Sequence, residues 1–276
     1  MHAIAFFSIL RPHNMLASAL AVVAGAFIAG DPRAGGVVTA ALLAALVTGA
    51  GNILNDCFDI DIDRINKPRR PLPSGRITRR AALGWYAAIS ILATAGAAFL
   101  VPRATGTLIM GWEVALALYA AVCKRWLVAG NVLVATISSS AFFAGALLAG
   151  NPRAALVPAA IAFAFVCCRE IVKGAEDVEG DRSGGVRTLA VVLGERAAGT
   201  IAAVLMLVLA ALIPLPALTL HYRAGYLFAM DLCVVPVLLA GALRVAGTSE
   251  RAAFTRTSRS LKLGMFLGIV AIALGA

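Results

Sequence analysis

Asn52-Ile-Leu-Asn-Asp-Cys-Phe-Asp-Ile-Asp-Ile-Asp-Arg-Ile-Asn-Lys-Pro-Arg-Arg-Pro-Leu-Pro-Ser-Gly75 packs charge into a chain that otherwise has little. At about 3.6 residues per turn, Asn52, Asp56, Asp59 and Asp63 fall at i, i+4, i+7 and i+11, which predicts three carboxylates and an amide on one helix face. Such a face repels itself unless a cation sits on it.

The surroundings set the solvent in which that face must exist. Of the 276 residues, 61% are hydrophobic and 14% charged, with a mean hydropathy of +0.90, which excludes an ordinary soluble domain. Apolar runs long enough to cross a hydrocarbon core recur from end to end, and a bilayer demands helices rather than open strands. The expectation is an all-α polytopic membrane protein forming one domain over residues 1–276. Its nine predicted spans lie near 15–29, 35–56, 81–100, 105–122, 130–149, 154–172, 198–218, 224–246 and 260–275. The first run lacks a convincing cleavage site and more spans follow, so it reads as a span and not a removed signal peptide. Cys57, Cys123, Cys167, Cys168 and Cys233 match neither a disulfide framework nor a zinc site and read as small core residues.

The net charge of +10 is a matter of topology and not of nucleic acid, because the bases are confined to certain loops. The turns at Asp31-Pro32-Arg33, Pro102-Arg103, Asn151-Pro152-Arg153 and His221-Tyr222-Arg223 carry one base each. The alternate loops carry nearly all the rest: Arg64, Lys67, Arg69, Arg70, Arg76, Arg79 and Arg80 after span two; Lys124 and Arg125 after span four; Arg169, Lys173, Arg182, Arg187 and Arg196 around the loop after span six. The positive-inside rule then places those loops and the N-terminus in the cytoplasm, within the cell membrane, and the C-terminus outside.

Of the fourteen acidic residues, four fall in residues 56–63 and five in residues 170–181. Both clusters belong to loops of cytoplasmic phase, so they can face each other across one mouth of the bundle. Their placement four spans apart hints at a weak internal repeat. In the second cluster Glu170, Gly174, Asp177 and Asp181 share a helix face, and Asp177 and Asp181 repeat the spacing of Asp59 and Asp63. Hard oxygen ligands without His or Cys point to Mg²⁺, which commonly bridges a few carboxylates to substrate phosphates. Lys124, Arg64, Arg169, Lys173 and Arg182 are suited to the phosphate oxygens that metals leave free.

Asn55-Asp56-x-x-Asp59-x-x-x-Asp63 followed by Arg64-x-Asn66-Lys67-Pro68-x-Arg70-Pro71-Leu72-Pro73-x-Gly75 resembles the signature of the UbiA superfamily of intramembrane prenyltransferases. Supporting matches are Arg11-Pro12-His13-Asn14, Tyr119…Lys124-Arg125…Gly130-Asn131 and the second acidic run; together they reach about Gly194. The resemblance implies a ring of nine helices around a central cavity, two Mg²⁺ ions at its cytoplasmic mouth, and transfer of a prenyl group from an allylic diphosphate to a membrane-embedded acceptor. Carried over by motif, Asp59, Asp63, Asp177 and Asp181 are ligands of metal or metal-diphosphate, supported by Asn55 and Asp56, with Asp56 also on the metal. Lys124, Arg64 and Asn14 would touch diphosphate or the acceptor's polar end.

Within the superfamily, residues 169–189 most resemble digeranylgeranylglyceryl phosphate synthases, which implies a geranylgeranyl donor and a geranylgeranylglyceryl phosphate acceptor. That subgroup usually has Asp where this chain has Gly174. Aromatic (4-hydroxybenzoate or quinone-precursor) and chlorophyllide-type acceptors are the alternative. A transporter is disfavoured because the acids cluster at one mouth and not at the midplane, and the Asp-Gly-x-x-Ala-Arg run of CDP-alcohol phosphotransferases is not found. Trp85, Trp112 and Trp126 read as interfacial anchors, and His13 as a packing or interface residue.

Overall fold

The computed structural model describes residues 2–31, 33, 35–219 and 222–274; Pro32 and His221, in two of the expected turns, lie outside them. The elements in order are α1 (His2–Ile9), α2 (Pro12–Ile28), α3 (Val37–Phe58), α4 (Ile60–Asn66), α5 (Arg79–Phe99), α6 (Arg103–Ala121), α7 (Ala129–Leu148), α8 (Leu156–Glu176), α9 (Val178–Ser183), α10 (Leu189–Leu193), α11 (Glu195–Leu212), α12 (Leu215–Thr219), α13 (Ala224–Ala229), α14 (Val235–Val245) and α15 (Arg251–Ala273). A π-helical segment, Met230–Val234, joins α13 to α14. No strand occurs among the described residues.

Seven helical stretches among the described residues are long and apolar enough to cross a membrane: Val37–Phe58, Arg79–Phe99, Arg103–Ala121, Ala129–Leu148, Pro152–Glu176, Glu195–Leu218 and Ala224–Val245. Two expected spans fall short of that standard for different reasons. Helix α2 has 17 residues, about 25 Å at 1.5 Å per residue, against a hydrocarbon core of about 30 Å. Helix α15 is long, but its first half carries Arg251, Arg256, Arg259 and Lys262. The full count of nine is therefore carried forward as a proposal.

Lipid-tail solvent gives no hydrophobic drive between helices, so close packing must hold them together. The α2–α7 crossing illustrates the demand. A Cβ at Gly25 would lie 2.0 Å from the Phe142 carbonyl oxygen, and one at Gly145 only 1.9 Å from that of Val22. Apolar residues such as Ile91, Leu92, Phe99, Val114 and Leu243 point outward instead, as a lipid-facing surface requires. Helix α2 packs on α3 and α7, α7 on α8, α8 on α15 and α15 back on α2, closing a circuit of helices around a cavity of about 780 Å³.

Candidate active site

The helix bearing the first acidic face is not continuous. It breaks at Asp59 (φ −100°, ψ 10°) between α3 and α4, and the second breaks at Asp177 (φ −102°, ψ 10°) between α8 and α9. Backbone bonds nevertheless run through both breaks: Asp59 N–H donates to Asn55 O and Asp63 N–H to Asp59 O, as Asp177 N–H does to Lys173 O and Asp181 N–H to Asp177 O. The four-residue spacing of the acids thus survives a bend that separates their helices.

The short helices α4 and α9 pack against each other, and Asn66 joins them. Its Nδ2 donates to the Asp177 carbonyl at 2.7 Å, and its Oδ1 accepts from Gly180 N–H at 3.1 Å. Gly180 permits this approach, since a Cβ there would sit 2.4 Å from Asn66 Nδ2 and 2.7 Å from Ile62 O. The Glu-Gly-Asp run of the second cluster therefore has a steric reason for its glycine.

Asp56, Asp59, Asp63 and Asp181 are all buried, and bases answer the first three. Arg11 bonds Asp56, Lys124 bonds Asp59, and Arg70 Nη1 reaches both Asp63 oxygens at 2.8 and 2.6 Å with Asp56 at 3.5 Å. Asn55 Nδ2 donates to Asp59 at 2.8 Å. In the second cluster Lys67 spans Glu176 at 2.8 Å and Asp177 at 2.9 Å. Burial works against the charges of Lys67 and Arg70, yet their carboxylate partners outweigh it and hold both above their ordinary pKa. Among the described residues Asp181 has no such partner at contact distance: burial, with Asp177 and Asp59 adding repulsion, pushes it up to about 6 against the pull of Lys124 and Lys173.

Of these acids Asp56 lines the cavity itself, and Asp63, Glu176 and Asp177 reach it through their partners Arg70 and Lys67; the wall includes Asn14, Asn52, Asn55, Asp56, Lys67, Arg70, Arg169, Glu170 and Lys173, and then Ala17, Leu116, Ile137, Phe142, Phe165, Met230 and Ile269. The polar end passes into an apolar one. Asn14 Nδ2 lies 3.4 Å from Asn52 Oδ1, whose own amide donates to Leu10 O at 2.9 Å.

Three expected bases are not in this wall: Lys124, which is held by Asp59, and two that stand apart from the acids' site altogether. Arg64 is exposed and pairs with Asp61 at 2.6 Å, and Arg182 lies in a separate surface depression with Glu179 and Arg251. Glu170 is tied to Arg169 and, at 3.7 Å, to Lys173. Trp112 corrects the interfacial reading: it is buried in the cavity wall and donates to Ser140 Oγ at 2.7 Å. Trp85 and Trp126 are exposed, Trp85 stacking on Phe6. Sequence reasoning left Arg11, Lys67, Arg70 and Asn66 out of the site; all four lie in the motifs quoted for it, and that membership was the available signal.

The donor set suits a hard divalent cation. All its atoms are oxygens, and among the described residues Asn55 Oδ1 is buried without a hydrogen-bond donor. Among the described residues no three acidic, His or Cys side chains form a complete metal cage. An ion held here would have to take most of its shell from phosphate and water.

Residues 18–270 match the UbiA prenyltransferase family. Digeranylgeranylglyceryl phosphate synthase from Methanoregula boonei is 37% identical over 275 residues, covering 98% of this chain and 97% of the relative. The synthase of the same name from Methanothermobacter thermautotrophicus is 35% identical over 271 residues, covering 98% and 95%. A solved structure described as digeranylgeranylglyceryl phosphate synthase in membranes superimposes with a TM-score of 0.74 at 26% identity, covering 99% of this chain and 98% of the other. A UbiA homologue from Archaeoglobus fulgidus, bound to GPP and Mg²⁺, shares the fold with a TM-score of 0.68 at 21% identity, covering 97% and 99%. The chain belongs to the UbiA prenyltransferase family and is an integral membrane prenyltransferase.

Proposed function

We propose that this member of the UbiA prenyltransferase family moves a geranylgeranyl group from geranylgeranyl diphosphate to the free glycerol hydroxyl of geranylgeranylglyceryl phosphate. The observation that carries the reading is one cavity with an apolar wall whose polar end holds Asp56 and the bases Lys67 and Arg70, which contact the two Asp-bearing helix breaks. Resemblance over nearly the whole chain to synthases of that name supports the acceptor.

Asp59, Asp63, Asp177 and Asp181, with Asp56 and Asn55 beside them, would hold two Mg²⁺ ions. When bound, the ions neutralise charge developing on the departing diphosphate. Diphosphate oxygens then draw Lys67, Arg70 and Lys124 away from the carboxylates they pair with here, and these bases stabilise the leaving group. The walls formed by Leu116, Phe142 and Phe165 hold the isoprenoid and keep water from its allylic carbon while that carbon–oxygen bond breaks. Asn14 and Asn52 orient the acceptor hydroxyl, whose oxygen forms the new carbon–oxygen bond as its proton passes to the departing diphosphate. The whole chain works as one domain of nine spans with the acidic mouth in the cytoplasm and the C-terminus outside, as the basic loops dictate.

The test offers purified protein geranylgeranyl diphosphate and Mg²⁺ with geranylgeranylglyceryl phosphate, 4-hydroxybenzoate and a chlorophyllide in parallel. The digeranylgeranyl ether is the expected product; turnover of only an aromatic or chlorophyllide acceptor would overturn the substrate. Single cysteines near Arg70 and Arg182 should resist an impermeant thiol reagent applied outside cells, whereas one near Arg153 should react. Labelling at Arg70 would invert the topology.

A further inference from the structure

Two groups of bases stand out at and near the cavity. Arg11, Lys67, Arg70 and Lys124 each contact an acid at or beside the two helix breaks. Lys262, on α15, does not: among the described residues no carboxylate pairs with it, and its Nζ lies 2.9 Å from Nε2 of His13 on α2. An ammonium only donates, so that nitrogen is the acceptor and the imidazole is neutral with its proton on Nδ1. Two of the three Lys262 N–H groups remain for another acceptor.

Arg169 and Lys173, on α8, complete the second set. Both line the same cavity as His13 and Lys262, and both lie near enough to repel the Lys262 charge. Among the described residues Glu170 is the one carboxylate in contact with either of them. Arg11 and Glu176 also act on Lys262, but each is in contact with an opposite charge of its own, Asp56 and Lys67; the remaining three cations against one acid leave an excess of two positive charges in a partly buried place, where unpaired charge is costly. Arg169 Nε is also buried without a hydrogen-bond acceptor. The acidic clusters need cations; this corner needs an anion.

We infer that Lys262, positioned by His13 and backed by Arg169 and Lys173, is the subsite for a phosphomonoester dianion on the acceptor, distinct from the place that takes the donor's diphosphate. The inference rests on the proposed lipid-phosphate acceptor and specifies where its phosphate sits. Two negative charges match the excess of two positive ones, whereas a carboxylate acceptor would cancel half of it and a neutral acceptor none. The same helix continues from Lys262 through Met265, Ile269 and Ile272, all in the cavity wall, so a lipid whose head meets Lys262 has an apolar path for its tail.

The experiment measures KM for geranylgeranylglyceryl phosphate, for geranylgeranylglycerol without the phosphate, and for geranylgeranyl diphosphate, using the full chain in detergent with Mg²⁺. Wild type is expected to prefer the phosphorylated acceptor. Lys262→Met should raise its KM about tenfold to a hundredfold, the loss expected of one charge-assisted hydrogen bond. The same change should erase the preference over geranylgeranylglycerol and leave the diphosphate KM within about twofold, which also reports folding. Lys262→Arg should restore most of the preference, and Lys262→Gln serves if the Met variant is too unstable to purify. A preference retained without Lys262 would overturn the subsite and leave the Lys262–His13 bond as a staple between α15 and α2. An equal rise in the diphosphate KM would assign the corner to the donor. A wild type that never distinguishes the two acceptors would overturn the acceptor reading itself.

Discussion

The two acidic breaks share a backbone and differ in how their charge is compensated. Asp59 and Asp177 adopt nearly the same φ and ψ, and each is followed four residues later by a buried Asp. In the first break Asp56, Asp59 and Asp63 each have a base in contact. In the second, Lys67 serves both Glu176 and Asp177, and among the described residues Asp181 has no base at contact distance. Burial consequently raises Asp181 to a pKa of about 6. The lesson is that a repeated backbone need not carry a repeated charge state. The first break is stabilised by bases that diphosphate can claim, while the second is short of positive charge and is the side a cation relieves most.

The sharpest way to break this comparison is to disable each half separately. Asp59→Asn and Asp181→Asn should each lower Mg²⁺-dependent turnover by roughly a hundredfold to a thousandfold, the scale of losing one element of charge stabilisation in the transition state. A mild effect in either half alone would mean that one break suffices. Next in size is the seam between them. Gly180→Ala forces a Cβ against Asn66 and the Ile62 carbonyl and should cost about 1–3 kcal/mol, seen as a lower melting temperature in detergent, together with lost activity. Gly174→Ala tests whether the seam is the cause: its Cβ would meet Thr188 at 3.3–3.6 Å, so its melting temperature should change little.

Asn66→Ala removes both bonds across the seam and strands the buried Gly180 N–H, while the Asp177 carbonyl keeps its bond from Asp181 N–H; the loss is worth about 1–3 kcal/mol. It should also raise the Mg²⁺ concentration for half-maximal activity, because the breaks drift apart; an unchanged requirement would make the seam purely structural. The smallest effect is expected at the surface. Arg64→Ala removes an exposed ion pair with Asp61, worth about 0–1 kcal/mol, and turnover should stay within about twofold.

Much of this was legible before any coordinates. Apolar runs located eight of the nine expected spans to within a few residues, whereas the helix expected from 260 begins at Arg251 because its first turns are basic. The break at Asp59 was not, because the i to i−4 bonds run through it and leave the periodicity intact. Nor was the division of the bases. Lys67 reaches Glu176 across 109 residues and Arg11 reaches Asp56 across 45, contacts set by how helices pack and not by local pattern. Arg64 and Arg182 sit beside the acids in sequence but face away from the cavity in space. Trp112 was misread because distance from a span end says nothing about whether a side chain faces lipid or lumen.

The central claim is that both breaks act together on one metal–diphosphate complex. Calorimetric binding of geranylgeranyl thiolodiphosphate, a donor analogue slow to ionise, tests it most directly when run with and without Mg²⁺ on wild type, Asp59→Asn and Asp181→Asn. The account predicts that Mg²⁺ strengthens binding strongly in wild type and that either substitution abolishes most of this gain. A gain that survives intact in either variant would contradict it.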